Sequence, residues 1–160
     1  MRRRVRPFIK PVGGHRVKIF RFLLAVVVGL VVGSVVNMAF ITMSGKVIAP
    51  PAGADVTTME GLKAAMHLFE PKHFLFPFLA HALGTLAGAF VAAWLAPARS
   101  AIPSYVVGAL FLAGGIANVF MLPSPLWFTA VDLLFAYVPA AWAGRTMALR
   151  MAARRSPVGL

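Results

Sequence analysis

The chain predicts an all-α fold, a four-transmembrane-helix antiparallel bundle with a short amphipathic helix on its outer surface. Three observations lead there. Hydrophobic residues make up 60% of the sequence and charged residues 12%, about half the charge fraction of a soluble domain. Four apolar stretches, residues 19–43, 73–96, 102–122 and 126–149, each reach the ~20 residues a helix needs to cross a ~30 Å hydrocarbon core. The cations are also segregated. Arg2, Arg3, Arg4, Arg6, Lys10, Arg16, Lys18, Arg21, Arg99, Arg145, Arg150, Arg154 and Arg155 fall on one side of the spans. Only Lys46, Lys63 and Lys72 fall on the other, where Asp55, Glu60 and Glu70 balance them.

That asymmetry sets the orientation. Cytoplasmic connections carry the excess of Lys and Arg, so both termini are expected in the cytoplasm, as an even number of spans requires. Residues 1–18 read as a basic cytoplasmic arm, broken by Pro7, Pro11 and Gly13-Gly14. Residues 19–149 form the membrane domain, and 150–160 a basic cytoplasmic tail. The tails suit anionic lipid headgroups. A nucleic-acid role for the arm is not expected, since it has no interleaved aromatics and no folded basic face. The first span reads as an uncleaved anchor: its apolar run exceeds that of a signal peptide, and no A-x-A-like site follows.

Residues 44–71 form the one sizeable loop, on the outer side. Within it, Thr57-Thr58-Met59-Glu60 has the pattern of a capping box. Met59, Leu62, Met66 and Phe69 then recur at helical spacing, with Glu60, Lys63, His67 and Glu70 on another face. This predicts an amphipathic helix lying on the outer membrane surface. Pro71 closes it or opens the next span. Pro97-Ala-Arg-Ser100 and Pro123-Ser-Pro125 are short connections that make hairpins of their flanking spans.

Lipid competes for apolar side chains, so helices in a bilayer associate through close backbone approach or polar contacts. Gly29 and Gly33 share a face of the first span, and Gly84 and Gly88 a face of the second. Ala136, Ala140 and Gly144 continue a stripe from Asp132 along the fourth. These are expected contact faces, within the bundle or between copies in a homo-oligomer or larger membrane complex.

Four strongly polar side chains fall inside spans: Asn37, His81, Asn118 and Asp132. At the helical rise they lie about 7–12 Å from the outer ends of their spans, one per span at a similar level. An aspartate in hydrocarbon costs several kcal/mol, so Asp132 is expected to face inward with a partner, and His81 is the one ionisable candidate at that depth. Such a pair can fix helix register, relay a proton, or bind a cation or polar solute with Asn37 and Asn118.

A second set, His67, Glu70 and His73, has ligand chemistry suited to a transition metal. Its i, i+3, i+6 spacing does not hold all three on one face, and His81 joins them only if the chain bends at Pro77. No cysteine is present, which removes thiolate metal sites and cysteine nucleophiles. No G-x-S-x-G, H-E-x-x-H or P-loop motif occurs. The expected function is therefore non-enzymatic and without a cofactor: movement of a small polar solute or proton, or service as an accessory subunit. The competing class is a metal-dependent membrane enzyme, which stoichiometric metal in the purified protein would mark.

The stretch His73-Phe-Leu-Phe-Pro-Phe-Leu-Ala-His-Ala-Leu-Gly-Thr85, with Leu68-Phe-Glu-Pro-Lys72 before it, resembles a group of small bacterial integral membrane proteins of unassigned function. Asn37-Met38, Pro50-Pro51 and Pro123-Ser-Pro-Leu-Trp127 through Asp132 share the likeness, which covers roughly residues 25–145. The resemblance implies a bacterial cytoplasmic membrane and no activity.

Overall fold

The computed structural model describes residues 13–96 and 100–155, which are helical throughout apart from turns and connections. The elements in chain order are α1 (Gly13–Val47), α2 (Met59–Ala65), α3 (Leu75–Leu95), α4 (Ile102–Met121), α5 (Leu126–Phe135) and α6 (Val138–Arg155). A 3-10 turn, Met66–Leu68, extends α2, and another, Pro71–Phe74, leads into α3. Four stretches are long and apolar enough to cross a membrane, the last formed by α5 and α6 together.

The element boundaries depart from the expectations in four places. The first helix is longer than residues 19–43. It has 35 residues, about 50 Å at the helical rise, and the Gly13-Gly14 pair opens it rather than breaking an arm. Residues 1–12, with most of the expected basic arm, lie outside the described residues, as do Pro97, Ala98 and Arg99 of the second connection. At the other end, α6 continues through Arg150 and Arg154, where a tail was expected. The fourth span, expected to run unbroken over 126–149, is interrupted at Ala136 and Tyr137. Pro139 is the physical cause: it has no N–H, and its ring collides with the carbonyl four residues back. Pro77 does not bend the second span, because it sits in the first turn of α3, where a missing N–H is harmless.

Glycine contacts set the packing. A Cβ on Gly29 would stand 2.7 Å from the Gly88 carbonyl oxygen, and one on Gly33 2.7 Å from that of Gly84. The reverse approaches are as close, Gly88 to Gly29 at 2.7 Å and Gly84 to Gly33 at 2.9 Å. So α1 and α3 cross backbone to backbone at two adjacent points. Gly144 brings α6 onto the Leu86 carbonyl of α3, and a Cβ on Gly108 of α4 would stand 2.7 Å from the Ala141 methyl of α6. Ala136 and Ala140 are buried with them. The helix α3 is thus the one against which α1, α4 and α6 all pack. Val26, Ala92 and Val107 form the core where α1, α3 and α4 meet.

The outward surface is strongly apolar. Phe120 is 81% exposed and Leu126 87%, with Val27, Val31 and Val35 along α1. Exposed apolar surface on this scale is foreign to soluble monomers.

The loop between α1 and α3 is built by local hydrogen bonds. Gly53 has φ +81, the left-handed value needed at the third position of the turn closed by Ala54 N–H and the Pro51 carbonyl at 3.0 Å. The helix cap falls one residue later than the capping-box pattern placed it. Thr58, not Thr57, is the N-cap, accepting from Gly61 N–H at 2.9 Å. The acid in the arrangement is Asp55, not Glu60: Thr57 donates to it from both hydroxyl, at 2.6 Å, and N–H, at 2.8 Å, and Thr58 from its hydroxyl at 3.1 Å. The Thr57 hydroxyl, then its N–H, hold the Asp55 carboxyl below the ordinary 3.8. A carboxyl whose pKa is lowered on folding stabilises the loop above its unfolded pKa and loses that contribution as pH falls through the folded value. The protection factor of the Gly61 amide, its exchange rate relative to an unstructured peptide at the same pH, should therefore be flat above about pH 4 and fall at lower pH. Asp55→Asn should show the low protection throughout.

Candidate functional site

Two spans meet around one ring. His81, two turns into α3, presents Nδ1 to both oxygens of Asp132 on α5, at 2.8 and 2.9 Å. The Tyr137 hydroxyl donates to Asp132 Oδ2 at 3.0 Å, and its ring stacks on the His81 ring at 5.7 Å with 28° between the planes. Asp132 is 4% exposed and Tyr137 1%. When Asp132 is a carboxylate it has no donor, and Nδ1 then carries the proton shared between them. That leaves Nε2 as the nitrogen able to gain or lose a proton, and it has no protein partner among the described residues.

Tyr137 was not foreseen. In an unbroken helix, residues five apart lie about 140° apart around the axis, so Asp132 and Tyr137 would face different neighbours. The interruption before Pro139 turns the phenol back onto the carboxylate. A buried tyrosine that needs a partner for its hydroxyl, two residues before a proline in a span, was the signal available. Gly115 on α4 leaves the room: a Cβ there would overlap the Tyr137 hydroxyl.

Two adjoining cavities meet at this ring. One, of about 330 Å³, lies between α1, α3, α4 and the Tyr137 turn, and its wall includes Ser34, Asn37, His81, Phe111 and Asn118. The other, of about 570 Å³, extends from Asn37, His81 and Asn118 past Ile41, Phe74 and Leu122 to Ser44, Val56 and the Met59 and Leu62 side chains of α2. Asn37, His81 and Asn118 are common to both. So three of the four expected polar side chains share one space, and Asp132 stands behind His81. Neither asparagine amide has a hydrogen-bond partner among the described residues. One turn further along α3 from His81, the fully buried Thr85 hydroxyl also has none.

The apolar face of α2 is the one the periodicity marks. Met59, Leu62, Met66 and Phe69 all line the larger cavity, so α2 covers it. Rings anchor this cover. Phe74 packs on Phe69, Trp127 and Phe128 at centroid distances of 6.3, 5.5 and 4.8 Å.

Comparison with known proteins adds nothing to this geometry. No family model, no curated protein and no solved structure matches the chain.

The structure does not bring His67, Glu70 and His73 together as a metal-ligand set. No group of three or more His, Cys, Asp or Glu fit to hold a metal occurs among the described residues. Each of the three has local work instead. His67 Nδ1 donates to the Ala64 carbonyl at 2.8 Å. Glu70 pairs with Lys72 at 3.0 Å and caps the Pro71–Phe74 turn. His73 Nδ1 accepts from Glu70 N–H at 3.0 Å, so Nε2 carries the proton and donates to the Ala49 carbonyl at 3.2 Å. His73 thereby ties the end of α1 to the start of α3.

Proposed function

We propose that this chain is a multi-pass protein of the bacterial cytoplasmic membrane, with four antiparallel spans and both termini inside. It translocates a small polar solute or a proton by way of His81, with no covalent chemistry. The observation that carries this reading is the placement of an ion-pairable cluster, His81–Asp132–Tyr137, at the deep end of a cavity that extends to the outer loop. Intramembrane ionisable groups are costly to bury, and they mark substrate or proton paths more than any other feature of a span. The cluster has the parts a relay needs. His81 Nε2 accepts a proton from the cavity, Asp132 compensates the imidazolium charge, and Tyr137 holds the carboxylate in place.

Proton movement into proteoliposomes carrying an entrapped pH dye, under an imposed membrane potential, tests this. Flux above that of protein-free liposomes is expected. Flux no faster than in protein-free liposomes would remove the relay.

A second reading has its own support. On the flank between α1 and α4, Ser34, Gly114 and Asn118 are exposed at the level of the site, and a Cβ on Gly114 would meet nothing within 4 Å. Polar surface at that depth needs a cover. A second copy or a larger membrane complex would supply it, which makes the chain an accessory subunit. Co-purification of a larger assembly in mild detergent favours that reading, and a lone monodisperse species rejects it.

A further inference from the structure

The polar groups of the larger cavity are unevenly satisfied. Along its outer part, Thr42 donates to the Met38 carbonyl at 2.9 Å, both ring nitrogens of His73 are taken by backbone, and Ser124 bonds Thr129 at 3.1 Å. Ser44 stands at the outer end of α1. At the His81 end the reverse holds: the Asn37 and Asn118 amides and His81 Nε2 have no protein partner among the described residues, and Asn118 also borders the exposed flank between α1 and α4. Between the two ends the wall is apolar, with Ile41, Phe74, Leu122 and Phe128 lining it beside the α2 side chains. Free hydrogen-bonding groups at one end of an apolar cavity are the pattern of a ligand with one polar end.

Charge narrows the head. Among the described residues no lysine or arginine lines the cavity, so an anionic head finds no counter-charge among them. Both oxygens of Asp132 already accept hydrogen bonds from His81 and Tyr137, so a cationic head finds no free carboxylate. Two amides and an imidazole nitrogen suit an uncharged head that donates and accepts, such as a hydroxyl or amide. The volume of about 570 Å³ lies in the roughly 300–1,000 Å³ range of small-molecule sites.

We propose that this cavity binds an uncharged amphiphile, its polar head between Asn37, His81 and Asn118 and its apolar body beneath α2. The assignment rests on the outward-opening site proposed above and names the class of its solute.

The test uses the full chain in lipid nanodiscs and three decyl photo-probes with a diazirine in the chain, ending in a hydroxyl, a carboxylate or an ammonium group. Cross-links are mapped by mass spectrometry. The hydroxyl probe should label Met59, Leu62, Met66 and Phe69 in preference to the other two. Asn37→Ala/Asn118→Ala should cut that labelling about fivefold or more, the worth of one neutral hydrogen bond or better. Labelling of the outward Phe120 and Leu126 should not change, which also reports that the variant is folded. Leu62→Trp, which fills the shaft and leaves the head groups intact, should abolish labelling at Met66 and Phe69. Equal or stronger labelling by either charged probe overturns the uncharged head, and labelling under α2 that ignores both variants overturns the site. Proton flux is read on the same protein. Flux without cavity labelling removes this inference alone, and cavity labelling without flux removes the transport reading alone.

Discussion

Gly88→Leu should abolish recovery of folded protein, while Gly45→Ala should leave it intact or raise it. At Gly88 the nearest neighbour of an added Cβ is the Gly29 carbonyl at 2.7 Å, with Val107 at 3.1 Å and Phe111 at 3.3 Å. The first obstacle is backbone, which cannot rotate away as a side chain can. Even Gly88→Ala forces α1 and α3 apart and should cost about 1–3 kcal/mol, the range of overpacked cores. Leucine requires a separation that also breaks the Gly33–Gly84 contact. Association in lipid depends on this close approach, so nothing replaces it. Gly45 lies within α1, and an added Cβ there meets nothing within 4 Å. Alanine there gains about 0.5–1 kcal/mol of helix preference. Thermal melting of each variant in nanodiscs, read by size exclusion, separates the two outcomes. Equal melting of Gly88→Leu and the unaltered chain would remove the packing account.

Asp132→Asn should leave the fold standing and stop proton movement, whereas Asp132→Ala should lower the folded yield. The amide of asparagine can accept from Tyr137 with its oxygen and donate to His81 Nδ1 with its nitrogen. His81 then changes tautomer and carries its proton on Nε2. All groups remain paired, so stability changes little, but no negative charge remains to compensate a protonated ring. Alanine leaves the buried Tyr137 hydroxyl and His81 Nδ1 without an acceptor, at about 1–3 kcal/mol for each. Flux in proteoliposomes and monodisperse yield read the two effects separately. If Asp132→Asn itself fails to accumulate, the cluster is a clasp that fixes helix register and not a relay.

The bundle and its polar centre were legible for the same physical reason. Asn37, His81, Asn118 and Asp132 stand out because each is expensive within an apolar span, and equal spacing from the outer ends places them together. Gly29, Gly33, Gly84 and Gly88 were readable because small residues four apart are what close helix crossings demand. Tyr137 was hidden because its contact with Asp132 exists only where Pro139 breaks the helical period. The role of α2 was half visible. Periodicity identified the face formed by Met59, Leu62, Met66 and Phe69, but periodicity reports that a face is apolar and not what it meets. The metal reading of His67, Glu70 and His73 relied on residue type alone, and local backbone carbonyls and N–H groups claim those side chains.

The proposed relay requires that water reach the His81 cluster from the outer side. The chain has no cysteine, so single cysteines report access without background. Asn118→Cys, at the junction of the two cavities, should react with a membrane-impermeant thiol reagent added outside sealed right-side-out vesicles. Phe120→Cys, on the same helix and 81% exposed on the apolar flank, should not. An unreactive Asn118→Cys, or one that reacts no faster than Phe120→Cys, would contradict the claim.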